Sequence, residues 1–375
     1  MSIYIHIPFC RKACTYCDFH FSVNHDRIDE LVDALVKELH LRKNYLGDKT
    51  VIDTIYLGGG TPSLLNSDQL KKIFDGINSN YSVSSNAEIT LEANPDDLTI
   101  FKLDELKNSP VNRLSIGVQS FHEPDLQMMN RAHTANMARQ SVLDAAEAGF
   151  DNITIDLIYG MPGMTEQKWK ENLMLAFSLP VKHLSCYSLT VEKKTALEKM
   201  IREGKIVPLD DAASAMHFKI LMHEAAQHGF EHYEISNFAI PGFYSQHNSS
   251  YWKDKPYIGI GPSAHSYNGT SRQWNIANNT AYVNAINKNE IPAETEILSA
   301  ENKYNEYIMT RLRTSWGADI NFIREKFGVT FETNFLKQIQ SYIESGDVNL
   351  NNSTYILTEK GKLIADRIAS DTFVL

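Results

Sequence analysis

Short β-prone runs recur along the first half of the chain at SIYIHI (2–7), TVIDTIYL (50–57), EITLEAN (88–94), RLSIGVQ (113–119), NITIDLI (152–158) and HLSCYSL (183–189). Helical patterns fill most of the gaps between them. From Asp26 to Tyr45, the residues Ile28, Leu31, Val32, Leu35, Val36 and Leu39 fall at i, i+3, i+4, i+7, i+8 and i+11, one apolar stripe turned toward a sheet. A second helix is predicted from Thr134 to Ala148, stopped by Gly149 as its C-cap glycine. Strands alternating with helices in this way predict parallel pairing through right-handed crossovers, in an open sheet or an incomplete barrel. Periodicity does not choose between the two.

The rhythm breaks after Lys205. A helix predicted from Asp210 to His228 leads into residues 232–275, rich in Gly, Asn, Tyr and His, which read as strands and functional loops. From Ala300 helices return, followed by a short strand running into a last helix over 354–368, a winged-helix-like α+β pattern. The chain is therefore expected to divide at 1–205, 206–299 and 300–375, with the last part a packing module rather than a DNA reader.

Composition narrows the function. With 375 residues and 43% hydrophobic content the chain can bury a full core, but its formal net charge of −10 argues against a general nucleic-acid binder, which needs Lys and Arg against phosphate. No apolar run approaches the roughly 20 residues that span a bilayer. The start MSIYIHIPF lacks a basic n-region and a cleavage site, so a cytoplasmic location is expected. Four cysteines in such a chain make no disulfide framework, and a tight thiol cluster in a reducing compartment reads as metal or redox chemistry.

That chemistry collects after the strands, where parallel α/β folds bind ligands. The first run is followed by Cys10, Cys14 and Cys17 in C-x3-C-x2-C spacing, and the second by Gly58, Gly59, Gly60, Thr61 and Pro62. The third ends in Glu92 and Asn94, the fourth in Gln119, and the fifth carries Asp156. Three thiolates from one loop can hold three irons of a cubane and leave the fourth open. Zinc would want a fourth protein ligand, for which only His20 and His25 lie at a suitable spacing. The glycines let backbone approach a ligand closely. Taken singly, Glu92, Gln119 and Asp156 would serve as strand-end hydrogen bonders; their joint placement points to a ligand. Cys186 reads as a small buried hydrophobe and His6 as a satisfied core histidine.

Together these residues resemble the radical S-adenosylmethionine (SAM) superfamily. YIHIPFC, YLGGGTPSLL, RLSIGVQSFHEPDLQMMNRAHT and IDLIYGMPGMT are similar to its oxygen-independent coproporphyrinogen III oxidase group. The resemblance implies a (β/α)6 partial barrel, a 4Fe-4S cluster on Cys10, Cys14 and Cys17, and SAM chelating the unique iron. It further implies that Tyr4 and Tyr16 lie near the cluster and adenine, that Gly59, Gly60 and Thr61 meet the methionine moiety, and that Glu92, Gln119, Arg131 and Asp156 contact SAM.

One position departs from the oxidase pattern: the fourth cysteine of C-x3-C-x2-C-x-C is Phe19 here. Phe19 and the motif HNSSYW, with His247, Asn248, Tyr251 and Trp252, resemble instead a sister group of heme chaperones. That resemblance implies heme as cargo in an HNSSYW loop, with His247 as iron ligand; the nearby His265 in GPSAHSY is the alternative ligand. It also implies acceptor hemoproteins, including membrane-associated respiratory ones, and a homodimer. The alternative is an enzyme that decarboxylates coproporphyrinogen III oxidatively to protoporphyrinogen IX.

Overall fold

The computed structural model describes residues 1–47, 50–208 and 210–374. Six strands, β1 (Ser2–Ile7), β2 (Val51–Gly59), β3 (Ser82–Ala93), β4 (Arg113–Gln119), β5 (Ile153–Tyr159) and β6 (His183–Ser188), lie side by side in sequence order, each parallel to the next. They follow the six predicted runs, within a few residues except at the start of β3, which begins at Ser82 rather than Glu88. Every crossover carries a helix, among them α1 (Ile28–Leu41), whose predicted stripe turns Leu31, Val32, Leu35 and Leu39 into the core. The helix Ala135–Glu147 starts on the Thr134 hydroxyl, which accepts from the Met137 amide, and Gly149 past its end takes φ +90°.

Residues beyond Lys205 extend this sheet at both edges. Two short strands, β7 (Glu231–Glu234) and β8 (Asn237–Ala239), form an antiparallel hairpin whose β8 pairs antiparallel with β6. On the other side β9 (Tyr257–Ile260) pairs parallel with β1, and β10 (His265–Tyr267), β11 (Ser271–Asn275) and β12 (Ala293–Ile297) continue antiparallel. Among the described residues the sheet thus has twelve strands. A separate apolar cluster lies under a small antiparallel sheet made by Ala318–Asp319, Val348–Asn351 and Thr354–Leu357. HNSSYW corrects the expectation of a loop: it forms a helix, Gln246–Trp252, begun by the Ser245 hydroxyl accepting from the Asn248 amide. Seven residues are too few for a helical period to show against the surrounding turn signals. Among the described residues no helix is long and apolar enough to cross a membrane.

A buried ion pair fastens the β9–β11 extension to the parallel sheet. Glu38 on α1, fully buried, accepts from Arg42 (3.1 Å), the Gly261 amide (2.8 Å), Asn275 (2.8 Å) and the Tyr282 hydroxyl (2.5 Å). Arg42 in turn donates to the Gly259 carbonyl, Ser266 and Gln273. Removing one member of such a network leaves the other charge buried without a partner. Glu38→Ala is expected to lower unfolding free energy by about 3–5 kcal/mol in denaturant titration; a loss under about 1 kcal/mol would show that the extension is held by apolar packing alone.

Candidate cofactor site and a second cavity

A cavity of about 730 Å³ opens at the carboxyl ends of the parallel strands. Cys10, Cys14 and Cys17 line it from the loop after β1, all three free and partly exposed. The loop is closed at its base, where the Cys10 amide donates to the Ser22 carbonyl (3.0 Å) and the Ser22 amide to Pro8 (2.8 Å). Gly59, Gly60 and Thr61 face it from β2, Glu92 from β3, Gln119 from β4 and Asp156 from β5. Tyr16 and Arg131 complete the set, so every residue to which the resemblance gave a SAM contact reaches this cavity except Tyr4. Tyr4 points into the neighbouring one.

The local backbone explains these placements. Gln119 takes φ +67° where the β4–β5 register slips after Ile116, a left-handed turn that breaks the strand's alternation at its tip. Arg131 is fixed from three directions: it donates to Asn94 Oδ1 (2.6 Å), the Gly117 carbonyl (2.8 Å) and Cys14 Sγ (3.3 Å). Its buried Nε has no hydrogen-bond partner among the described residues. Sequence reasoning placed Asn94 at a strand end without a role; its pairing with Arg131 spans 37 residues and leaves no local signal.

The electrostatics are those of a partly buried, charged pocket. Burial pushes the Cys10 thiol up and Cys17 up to about 11, so ligation would release protons. Glu92 is raised by burial, although it accepts from Tyr56 (2.7 Å) and the Gly59 amide (3.1 Å). Asp156 is raised to about 7, first by burial and then by the Glu92 charge, against the opposing pull of Arg113.

The donor set fits an iron–sulfur cluster better than zinc. Neither histidine of suitable spacing is turned to the thiols: His20 Nε2 bonds Asn279 (2.7 Å) and His25 Nε2 bonds the Cys10 carbonyl (3.0 Å). Among the described residues no three His, Cys, Asp or Glu side chains converge on one metal-ion position. A cubane takes one thiolate per iron and does not require such convergence.

The second cavity, about 490 Å³, lies between β1 and the β9–β11 extension. Tyr4, Tyr251, Tyr257 and Tyr267 wall it, with His6, His20 and His265 among its lining. It shares Phe19, Gly59 and Glu92 with the first, and Phe19 is 69% exposed there. Of the HNSSYW residues only Tyr251 lines either of these two cavities. His247 is 1% exposed, with Nδ1 on Thr54 (2.8 Å) and Nε2 on the Tyr251 hydroxyl (2.8 Å). Trp252 lies under the Arg313 guanidinium, 5.8 Å from the ring centre, and Asn248 lines neither cavity. Sequence reasoning missed Tyr257, Tyr267 and Arg272. The spacing of His265 and Tyr267, two apart on a strand, held the signal that they share a face.

Residues 4–176 match the model of the radical SAM superfamily, and residues 298–364 that of the HemN C-terminal domain. A Bacillus subtilis protein named heme chaperone HemW is 36% identical over 370 residues, covering 98% of this chain and 97% of its own. The chain belongs to the radical SAM superfamily, among its HemW-like proteins. A Lactococcus lactis protein of the same name is 35% identical, covering 96% of this chain and 94% of its own. The solved coproporphyrinogen III oxidase HemN of Escherichia coli superposes with a TM-score of 0.87 over all of this chain and 90% of its own, at 23% identity. That likeness establishes the shared α/β radical SAM fold.

Two outcomes follow from this geometry. Anaerobic reconstitution should load iron and sulfide on the native chain and on Cys186→Ala, whose thiol is buried in β6, but not on Cys10→Ala, Cys14→Ala or Cys17→Ala. Full iron content in the Cys14 variant would refute the ligand set. The second concerns Asp156. Between the usual carboxylate range and about pH 7 the folded apo chain keeps a proton that the unfolded chain has lost, so this group makes stability fall as pH rises through that window. Asp156→Asn removes the penalty, and its gain in Tm should be larger at pH 8 than at pH 5. Equal shifts at both would contradict the raised value.

Proposed function

We propose that the chain is a heme carrier that holds a 4Fe-4S cluster and SAM in the thiolate cavity and heme in the tyrosine-walled cavity beside it, and passes the heme to acceptor hemoproteins. The observation that carries this reading is the second cavity itself. It is walled by four tyrosines, carries three imidazoles, and shares Phe19, Gly59 and Glu92 with the thiolate cavity. Flat tyrosine rings offer a porphyrin stacking surface, and imidazole is a common ligand of heme iron. The names borne by relatives covering nearly the whole chain point the same way.

In the first cavity, Cys10, Cys14 and Cys17 would ligate the cluster, and a cluster with SAM supplies one-electron reducing chemistry when bound. The chain's own residues prepare the ground for SAM. Arg131, pinned by Asn94 and Gly117, presents a guanidinium beside Cys14 suited to a carboxylate. Asp156, accepting from Ser115 (3.4 Å) at the cavity base, suits hydroxyl donors such as those of a ribose. Gly60 and Thr61 offer backbone at close range. Phe19 sits where the oxidase pattern has its fourth cysteine and gives the partition an apolar face instead of a thiol.

The experiment is anaerobic incubation of the loaded protein with SAM and reductant, offering heme in one arm and coproporphyrinogen III in the other. The expected result is stoichiometric heme binding, transfer of that heme to an apo-cytochrome, and no protoporphyrinogen IX. Multiple-turnover decarboxylation in a protein that binds no heme would replace this reading with the oxidase one.

A further inference from the structure

Arg11 follows Cys10 directly in the cysteine loop, yet it lines neither of the two cavities. Its Nε donates instead to Asp97 Oδ1 at 2.6 Å. Asp97 stands in the turn after β3 with its side chain 1% exposed, and its other oxygen accepts from the Ser63 hydroxyl (2.7 Å). A carboxylate buried so fully depends on its partners, and Arg11 is the cation among them. The adjacent Asp96 is held differently. Its Oδ1 has no hydrogen-bond partner among the described residues, and Arg11 and His133 stay 3.8 and 3.9 Å from its carboxylate. Of two neighbouring carboxylates, one bonds the cysteine loop and the other stands beside it.

Resting on the reading of the thiolate cavity as a cluster site, we propose that Asp97 is a positioning residue that locks the cysteine loop, through Arg11, to the turn after β2 and to the tip of β3. Ser63 belongs to the turn that follows Gly60, and its hydroxyl oxygen accepts from the Asn94 amide (3.4 Å). The Asp97 amide donates to the Asn94 carbonyl (3.0 Å), which ties the carboxylate to the strand end from its own backbone. Asn94 holds Arg131 (2.6 Å), and Arg131 donates to Cys14 Sγ (3.3 Å). The contacts therefore leave the cysteine loop beside Cys10 and return to it at Cys14. Fastened at both places, the loop presents its thiols in register, and less ordering remains to be done when a cluster binds. Asp97 also balances a guanidinium one residue from a cluster ligand. Cluster potentials follow local net charge, so the pair sets the charge felt at Cys10 as well as the loop's position.

The test uses the full chain, reconstituted anaerobically with iron and sulfide, and reads the rate at which a chelator strips the iron, the midpoint potential of the cluster and the melting curve. Arg11→Gln and Asp97→Ala should each speed iron loss by about tenfold, the lower end of the roughly 10–100-fold that groups supporting metal ligands are worth. The double variant should be no faster than the quicker single one, because the two residues act through one bond. Asp96→Asn should lose iron at the native rate. The potential should rise in Asp97→Ala, which leaves the guanidinium uncompensated beside Cys10, and fall in Arg11→Gln, which removes the cation. Lost packing would not move the two in opposite directions. Should the melting curve show that Asp97→Ala does not fold, Asp97→Asn, which keeps the shape and removes the charge, replaces it in both measurements. Native retention in both single variants, equal loss from Asp96→Asn, or potentials that shift the same way would overturn the assignment while the cluster reading stands. If the native chain takes up no iron and sulfide, the cluster reading itself fails.

Discussion

Where β2 ends, the backbone passes so near β1 and the thiol loop that a methyl group on Gly59 would lie 2.5 Å from the His6 ring, and one on Gly60 2.6 Å from the Phe9 carbonyl. Gly59 also takes φ +107°, a conformation that side chains resist. This approach sets the depth of the cysteine loop over the sheet and brings Gly59 into the walls of both cavities. It also presses His6 into the seam between them, where Tyr4 and the His20 carbonyl satisfy its ring. The glycine run was readable as a ligand cradle; the structure gives it a second reason, which is that no Cβ fits.

Behind that seam the sheet encloses an unusual density of charge. Arg113, 1% exposed, donates to Thr90 and Thr154 and lies 4.0 Å from Glu88. Glu88 receives the amides of Gln246 and His247, and so seats the HNSSYW helix on the sheet. The helix then sends His247 inward to Thr54 and Tyr251 outward to the second cavity. Buried charges of this kind cost stability unless they are paired. Here the pairing joins the back of the thiolate cavity to the wall of its neighbour, so a change in Arg113 or Glu88 would be felt in both.

Most of the fold was legible because its signals are local. Strand runs, the α1 stripe and the Gly149 stop each lie within a window of a few residues, and the strand-end residues from Cys10 to Asp156 meet because parallel strands put their carboxyl ends together. The second cavity was not legible, because it arises from β9 pairing with β1, a contact across some 255 residues that no periodicity announces. The HNSSYW motif marked the segment whose Tyr251 walls the second cavity, while its histidine turns inward to Thr54. A motif identifies a segment, whereas exposure of its imidazole depends on Thr54, which lies on a strand far earlier in the chain.

The central claim is that two iron-bearing groups sit in adjacent cavities with Phe19 between them, and anomalous scattering at the iron edge from crystals of the loaded, heme-bound protein tests it most directly. The account predicts one cluster of peaks against Cys10, Cys14 and Cys17, and a single iron peak in the tyrosine-walled cavity. A lone peak elsewhere on the surface, or heme iron seated among the cysteine loop residues, would contradict it.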